Sequence, residues 1–219
     1  MRKRVAGILL AAGGGSRLGR PKAWVEFGGR TLAERGVALL RDGGADPVLV
    51  VIGAVPALVE GARAVPNRDW RTGMGSSLRA ALRALSEPTP VGWPWADEQE
   101  EPPYEDTYSQ TGAAVIALVD QPLIGAASVR RLIAAYRAGA SVAVAAYDGK
   151  PRNPVLIARE HWPAVMASAT GDTGARPFLR ANPDLVTVIE CGDTGSPDDI
   201  DTEEDLARIN EASANTRSE

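Results

Sequence analysis

The segment from Leu10 to Lys22 combines three consecutive glycines, Gly13 to Gly15, with two cations, Arg17 and Lys22. It follows a short apolar run at 5–10, which has the pattern of a strand buried on both faces. Glycines directly after such a strand let the backbone approach a ligand closely and point N–H groups at it. Cations spread along the loop can hold a triphosphate and neutralise a leaving pyrophosphate. The segment therefore predicts a phosphate-binding loop.

Two common phosphate motifs do not fit this spacing. A P-loop ends in Gly-Lys followed by Ser or Thr, whereas Gly19 is followed by Arg20 and Pro21. The dinucleotide fingerprint needs a glycine three positions after Gly15, where Leu18 stands. Pro21 would also interrupt the helix that either motif requires. The interpretation of this segment as a plain turn with solvated cations also stays open. Three consecutive glycines argue against it, because ordering them costs backbone entropy and a simple turn does not require them.

Carboxylates stand at two further places where they could hold a cation. Asp120 follows the apolar run at 113–119, and ligands of open α/β sheets bind outside the carboxyl ends of strands. A carboxylate there suits Mg²⁺, which prefers oxygen ligands and usually arrives with phosphates. Asp199 and Asp201 point to the same side of an extended chain, so both could face one cation. Two simpler interpretations stay open: Asp120 starts a turn, and Asp201 or Thr202 caps the last helix.

The elements that must position these residues alternate along the chain. Strands are predicted at 5–10, 47–52, 113–119, 141–146, 154–157 and 185–189, and helices after Thr31, at 57–61, at 76–85, at 129–138 and after Thr202. Strands that alternate with helices at this spacing predict an α/β fold, a three-layer α/β/α sandwich with a mostly parallel sheet. We expect one domain over residues 1–212, with 213–219 as a tail.

Residues 86–112 interrupt this alternation. They contain several prolines, an acidic cluster at 97–101, and Trp93 and Trp95. Such a composition cannot easily bury a core, so we expect a long, flexible surface loop. The segment is either a variable insertion or, through its tryptophans, a lid or a contact for a partner.

Composition excludes several classes of function. A net charge of −4 argues against nucleic-acid binding, which requires a clustered basic face. No apolar run is long enough to cross a bilayer, and the run after Arg4 leads into the glycine loop instead of a signal-peptide cleavage region. The single cysteine, Cys191, allows no internal disulfide. We therefore expect a cytoplasmic protein.

The loop resembles the signature of the molybdenum cofactor nucleotidyltransferases, a family within the glycosyltransferase-A-like NTP transferase superfamily. Its members open with Leu-Ala-Ala-Gly or Leu-Ala-Gly-Gly, continue Ser-Arg-Met-Gly and place a lysine three residues on. This chain has Leu10-Ala11-Ala12-Gly13, then Ser16-Arg17-Leu18-Gly19, and Lys22. The resemblance implies a nucleotide-diphospho-sugar transferase-like, Rossmann-like fold. The Ala-Ala-Gly form is similar to the cytidylyl branch of the family and differs from the guanylyl branch, which has a second glycine where this chain has Ala12.

The same resemblance implies roles for the loop and for the carboxylates. Arg17 and Lys22 would hold the triphosphate and, with Asp120, carry the catalysis, while the loop contributes nucleotide contacts from Leu10, Ala11, Ala12, Gly13, Gly14, Gly15 and Ser16. Asp120-Gln121-Pro122 is similar to the metal-binding motif of the cytidylyl branch. The segment from Asp199 through Asp201 to Leu206 resembles the motif that supplies the second metal carboxylate. Glu203 stands where that motif has proline.

Two more stretches carry the resemblance. Asn67-Arg68-Asp69-Trp70, with Gly73 to Leu78, is similar to the base-side loop, and this implies nucleotide contacts by Asn67 and Ser77. Gly171-Asp172-Thr173-Gly174-Ala175-Arg176 is similar to the acceptor-side segment, in which Gly171, Asp172 and Arg176 would bind the acceptor. Arg176 could pair with a phosphate through two hydrogen bonds. Arg152-Asn153-Pro154 stands where the family has Gly-His-Pro, and this leaves the acceptor open.

Together these motifs imply a Mg²⁺-dependent nucleotidyltransferase. It would move a nucleoside monophosphate, CMP from CTP in the cytidylyl branch, to a small phosphorylated acceptor such as molybdopterin, and a molybdoenzyme or chaperone is a possible partner. Three alternatives remain. The acceptor could be a different small phosphorylated molecule, the chain could share the chemistry of relatives labelled nicotine blue oxidoreductase, or it could be a non-catalytic nucleotide-binding protein.

Overall fold

The computed structural model describes residues 3–54, 59–86 and 110–215. The flexible loop expected over 86–112 lies, apart from its ends, outside the described residues, and so does most of the tail. Of the short helix expected at 57–61 only Val59 to Gly61 is described, and it forms a turn. No described helix combines the length and the apolar composition that a membrane span would need.

Strands and helices alternate as the sequence predicts. The strands are β1 (Arg4–Leu10), β2 (Glu26–Phe27), β3 (Arg30–Thr31), β4 (Val48–Ile52), β5 (Arg63–Pro66), β6 (Thr111–Leu118), β7 (Val142–Tyr147), β8 (Lys150–Ala158) and β9 (Val186–Glu190). The α-helices are α1 (Leu32–Asp42), α2 (Met74–Ser86), α3 (Ala126–Arg137), α4 (Trp162–Ser168), α5 (Arg176–Ala181) and α6 (Glu203–Asn215). The short strands β2, β3 and β5 and helix α5 were not predicted from the sequence.

Seven of these strands form one sheet in the order β5-β4-β1-β6-β8-β7-β9. All neighbouring pairs are parallel except those of β8, which runs antiparallel to both β6 and β7. The strand predicted at 154–157 is the inner half of β8, which pairs with β7 as a hairpin through the turn at Asp148 and Gly149. The mostly parallel sheet is confirmed, with β8 as the exception.

Two apolar layers, one on each face of the sheet, complete the sandwich. Side chains of β1 alternate between them: Val5 and Leu9 belong to the layer under α1, α3 and α6, whereas Ile8 and Leu10 belong to the layer under α2, α4 and α5. Because successive side chains of a strand point to opposite faces, a continuous apolar strand requires helices on both faces. The three-layer α/β/α prediction is confirmed.

The helix that follows the first loop begins where the sequence predicts. Thr31 is its N-cap: the Thr31 hydroxyl accepts a hydrogen bond from the Glu34 N–H, and the Glu34 carboxylate accepts one from the Thr31 N–H. This reciprocal capping box satisfies two N–H groups that would otherwise lack a partner at the helix start. It also lowers the pKa of the Glu34 carboxyl through these hydrogen bonds.

Candidate active site

The glycine loop and Asp120 lie together at the carboxyl edge of the sheet. Strands β1 and β6 are parallel neighbours with Leu10 opposite Leu118, so the segments that follow them leave the sheet side by side. A backbone hydrogen bond from the Val119 N–H to the Leu10 carbonyl, 3.2 Å long, continues the pairing to the edge. The sheet therefore brings together two of the motifs that the sequence singled out.

The backbone conformation of the glycine loop requires glycine at particular positions. Gly15 has φ +63°, and a β-carbon there would overlap the carbonyl oxygen of Arg20. A β-carbon on Gly14 would lie 3.1 Å from the ring of Trp70, closer than an ordinary van der Waals contact. Leu18 is buried and anchors the distal part of the loop in the core. The loop is therefore closely packed, and position 15 requires glycine because a β-carbon there would clash with the backbone.

A cluster of opposite charges joins the loop to both carboxylate segments. The Lys22 ammonium nitrogen lies 2.7 Å from Asp120 Oδ2 and 2.5 Å from Asp201 Oδ1. Arg17 also reaches Asp201, with 3.3 Å between Nη1 and Oδ2. Partial burial would lower the pKa of Lys22, but the charges and hydrogen bonds of the two carboxylates outweigh it and raise that pKa. Lys22 is therefore a fixed cation at neutral pH.

One carboxylate oxygen of this cluster has no hydrogen-bond partner in the part of the chain that the structure describes. Asp120 Oδ1 is buried and accepts no hydrogen bond from the described residues. A buried carboxylate oxygen without a donor is costly, so its position fits a cation that binds with the ligand. The donor set nearby is all oxygen, as Mg²⁺ prefers. No group of three or more acidic, histidine or cysteine side chains is preassembled around a metal position within the described ranges.

The two aspartates of the third motif face different surroundings. Asp201 contacts Arg17 and Lys22, whereas Asp199 lines a neighbouring cavity. Asp199 keeps contact with solvent, yet partial desolvation by the cavity wall and then the like charge of Asp120 raise the pKa of its carboxyl. Thr202 caps α6 by accepting a hydrogen bond from the Asp205 N–H, so the carboxylate of Asp201 is not used as the cap.

Two cavities meet at the edge of the sheet. The smaller cavity measures about 200 Å³ and lies between the glycine loop and the segment at 70–77. Its lining residues include Ala12, Gly13, Gly15, Lys22, Trp70, Ser77, Asp120 and Asp172. The larger cavity, about 610 Å³, is lined by Gln121, Arg152, Arg176, Arg180 and Asp199 and by apolar side chains of the sheet. Leu10, Met74 and Leu118 line both, so the two cavities share a wall.

Some predicted nucleotide contacts lie on the smaller cavity and others support it. Ser77 lines the cavity, but Asn67 is buried behind it and donates hydrogen bonds to the hydroxyls of Ser76 and Ser77, at 2.8 and 3.0 Å. Ala12 lines the cavity as well, whereas the side chain of Ala11 packs into the core on the opposite face of the sheet. Asn67 therefore orients Ser77 from behind the cavity.

The acceptor-side segment divides between the two cavities. Arg176 lines the larger cavity. Asp172 lines the smaller cavity, and its carboxylate accepts a hydrogen bond from the Met74 N–H at 3.2 Å. Gly171 is placed so that a β-carbon on Gly73 would overlap its backbone. The segment thus closes the smaller cavity against α2 while α5, which follows it, faces the larger one.

Arg180 lies outside the motifs that the sequence contains, and these motifs assign no individual role to Trp70 and Gln121. Arg180 lies one helical turn after Arg176, and only the presence of the short helix α5 places both on one cavity. Trp70 stood inside a recognised motif, but its packing against the glycine loop depends on the fold of the loop. Gln121 is buried, with its amide nitrogen donating to the Pro197 carbonyl at 3.2 Å.

Replacing Lys22 with alanine should reduce the affinity for NTP and the kcat/KM of any NTP-dependent reaction about 10- to 100-fold, because a charge-assisted bond to phosphate contributes about 1.5–3 kcal/mol. Loss of the ammonium also leaves Asp120 and Asp201 without the cation between them. Isothermal titration with NTP measures the affinity. Lys3→Ala, at the opposite edge of the sheet, is the control. Unchanged affinity in Lys22→Ala would assign the loop a purely structural role.

The chain is similar to a known protein family and to proteins of named function. Residues 7–186 match the family described as MobA-like NTP transferase domain. A nicotine blue oxidoreductase from Paenarthrobacter nicotinovorans is 36% identical over 219 aligned residues, which cover 94% of this chain and 96% of that protein. A probable molybdenum cofactor guanylyltransferase from Opitutus terrae is 34% identical over 146 residues, covering 66% of this chain and 62% of that protein.

Solved structures share the fold along nearly the whole chain. A homologue of Rv0371c from Mycobacterium sp. strain JC1 has a TM-score of 0.74 and 28% identity, and the match covers 99% of this chain and 100% of that one. Rv0371c of Mycobacterium tuberculosis H37Rv in complex with manganese has a TM-score of 0.68 and 22% identity, and the match covers 95% of this chain and 98% of that one.

Proposed function

This chain belongs to the MobA-like NTP transferase family, and we propose that it transfers CMP from CTP to a small phosphorylated acceptor, with release of pyrophosphate. One observation carries the proposal: a lysine on a glycine loop lies 2.7 Å from a strand-end carboxylate, and the other oxygen of this carboxylate is buried with no hydrogen-bond partner among the described residues. This arrangement suits a triphosphate and the cation that accompanies it. Molybdopterin is the acceptor we propose, in the maturation of the molybdenum cofactor.

In this proposal the chain acts by binding and positioning. Arg17 and Lys22 hold the triphosphate and stabilise the negative charge that accumulates on the departing pyrophosphate. An oxygen of the acceptor phosphate attacks the α-phosphorus in line, forming a P–O bond as the bond to pyrophosphate breaks. The acceptor oxygen is already anionic, so the step needs no general base. No covalent intermediate with the protein is required.

Asp120, with Asp201 or Asp199, would hold a divalent cation, and we propose Mg²⁺. The buried Oδ1 of Asp120, which accepts no hydrogen bond from the described residues, and the neighbouring carboxylates of Asp201 and Asp199 fit such a cation. When bound, the cation would supply charge compensation for the phosphates. Manganese in the complex of Rv0371c with the same fold is consistent with a divalent-cation site at this fold. Lys22 pairs with both Asp120 and Asp201, so a phosphate of the NTP would share its ammonium group with these carboxylates.

The remaining assignments follow from the same proposal. The base lies in the smaller cavity against Ala12, Gly13 and Ser77, while the acceptor lies in the larger cavity near Arg176. A molybdoenzyme or its chaperone would be the partner that receives the product. A cytoplasmic location fits these substrates.

Pyrophosphate release tests the proposal directly. The purified protein is incubated with CTP, GTP, ATP or UTP and Mg²⁺, with and without molybdenum-loaded molybdopterin. We expect release that needs both CTP and the acceptor and that stops when EDTA removes the metal. No release with any NTP in the presence of the acceptor would reject the proposed reaction for this acceptor.

A second candidate function is favoured by one comparison. The relative from Paenarthrobacter nicotinovorans is named an oxidoreductase and aligns over 94% of this chain. The glycine loop, however, has Leu18 where a dinucleotide fingerprint would have glycine. An assay of NADH or NADPH oxidation in the presence of nicotine blue, monitored by absorbance on the same protein preparation, distinguishes the two candidate functions. Turnover there without pyrophosphate release would favour the oxidoreductase.

A further inference from the structure

A third cavity lies between helix α2 and strand β5, the terminal strand on one side of the sheet. It measures about 300 Å³, and its walls are formed by residues 65–69 and by one face of α2 from Ser76 to Ala84. We call it the α2–β5 groove. None of its described lining residues lines either of the two cavities at the carboxyl edge of the sheet. The groove is therefore separate from the candidate active site.

Positive charge predominates in the groove. Arg68 lines it from the segment after β5, Arg79 and Arg83 line it from α2, and Asp69 is the carboxylate that opposes them. None of the three arginines forms an ion pair with a carboxylate of the described residues. Helix α2 has no acidic residue of its own. In a chain with a net charge of −4, this local excess of positive charge favours an anionic ligand.

The two arginines of α2 are neighbours on the surface of the helix. Arg79 and Arg83 are four residues apart, and two like charges at this spacing repel each other. The Arg79 guanidinium donates to the Ala169 carbonyl, which holds it in place. A guanidinium has five N–H donors, so Arg79 keeps others for a ligand. An anion bound between the two arginines would remove their repulsion.

The neutral polar side chains of the groove are already hydrogen-bonded to the protein. The Asn67 amide donates to the hydroxyls of Ser76 and Ser77, and its oxygen accepts from the Asp69 N–H. The Ser76 hydroxyl donates to the Gly73 carbonyl at 2.8 Å. The other uncharged lining residues are apolar, namely Val65, Pro66, Ala80 and Ala84. Recognition of a ligand would therefore come from the guanidinium groups.

The number of arginines indicates the size of the anion. One guanidinium can engage two oxygens of a phosphate, and a terminal phosphate has only three such oxygens. Three guanidinium groups on two walls therefore offer more donors than one phosphate can accept, whereas two linked phosphates match them. A volume of about 300 Å³ is at the small end of the range for ligand sites, so it suits a compact anion.

We propose that the α2–β5 groove is a second anion site that binds a diphosphate group, with Arg68 on one wall and Arg79 and Arg83 on the other. Inorganic pyrophosphate is the smallest ligand of this class. The groove lies outside both active-site cavities, so its occupancy can be measured without any turnover.

Calorimetric titration of the full chain with pyrophosphate tests the proposal. EDTA and low ionic strength are used, and the unmodified protein is compared with Lys22→Ala, whose weakened triphosphate loop leaves the groove to be observed by itself. We expect pyrophosphate to bind both proteins and to bind at least about tenfold more tightly than inorganic phosphate, because it makes further charge-assisted contacts. Added salt should weaken this binding. Failure of Lys22→Ala to bind pyrophosphate would overturn the proposal.

Substitutions in the Lys22→Ala background then locate the ligand. Arg83→Gln should weaken pyrophosphate binding about tenfold, because it removes one charge-assisted contact. Arg137→Gln, which removes an exposed arginine at the end of α3, is the control and should change nothing. Asp69→Asn should tighten binding, since it removes the carboxylate that opposes the arginines, and a damaged fold would not produce such a gain. Unchanged affinity in both Arg83→Gln and Asp69→Asn would place the ligand elsewhere and overturn the proposal.

CDP distinguishes a free diphosphate from one carried by a nucleoside. Because the neutral polar side chains of the groove are already hydrogen-bonded, the nucleoside should gain little there. We therefore expect CDP to bind the Lys22→Ala protein no more tightly than pyrophosphate does. Much tighter binding of CDP that is lost in Arg83→Gln would show that the groove recognises the nucleoside, and it would overturn the assignment to a diphosphate group.

Discussion

Replacing Asp120 with asparagine should reduce nucleotidyl transfer by about a thousandfold, because a divalent cation at a phosphoryl centre supplies several kcal/mol of charge stabilisation and Asp120 is its proposed buried ligand. The substitution keeps the size of the side chain and removes its charge. It also removes one of the two carboxylates that hold Lys22. Pyrophosphate release at saturating CTP and acceptor measures the effect, and a metal titration shows whether more Mg²⁺ partly restores turnover.

The fold of this variant should be retained. Asp120 Oδ1 has no hydrogen bond to the described residues, so its replacement breaks only the contact of Oδ2 with Lys22. The thermal midpoint should therefore change by no more than a few degrees. Asp46→Asn is the matched control, since Asp46 also pairs with a cation, Arg4 at 2.9 Å, but at the opposite edge of the sheet. Turnover near that of the unmodified protein in Asp120→Asn would remove Asp120 from the mechanism.

The sequence predicts the layers of this fold because each element carries its own signal. The apolar run of β1 is long enough to reveal burial on both faces, and Thr31 with Glu34 marks the start of α1. The short elements carry weaker signals. Strand β5 has only four residues and mixed burial, and α5 has six residues with proline near its start. Their formation depends on tertiary packing that local sequence does not contain.

The sequence predicts which motifs form the candidate site. It does not predict which residues of different motifs contact each other, because those contacts depend on the fold. Lys22 and Asp120 are 98 residues apart, and only the parallel register of β1 and β6 places them in contact. Asn67 illustrates the opposite case: its motif marks a functional loop, yet its amide faces two serine hydroxyls and is buried. A motif identifies residues that matter, whereas packing decides which of them can reach a ligand.

The choice of base is expected to depend on one methyl group in the smaller cavity. Ala12 lines this cavity together with Gly13, Trp70 and Ser77, and the cavity measures about 200 Å³. Ala12 is also buried, and the position of its β-carbon is fixed by the backbone. The resemblance described above places a second glycine at this position in guanylyl enzymes. A purine is larger than a pyrimidine, and the methyl group of alanine fills space that glycine leaves open.

We therefore expect the unmodified protein to prefer CTP over GTP by about 10- to 200-fold in kcat/KM, the range that a single-methyl difference supplies. Ala12→Gly should reduce this preference mainly by improving GTP, with little loss for CTP. Ala11→Gly is the matched control: it removes the same methyl one residue earlier, where the side chain packs into the opposite core layer. Both changes add the same backbone freedom, so a general loosening of the loop would affect both variants alike.

Measurement of kcat/KM for CTP, GTP, ATP and UTP with one acceptor tests this expected base preference. A preference for GTP in the unmodified protein would reject the cytidylyl assignment, while the roles of Lys22 and Asp120 would be unaffected, because the phosphates are common to all four nucleotides.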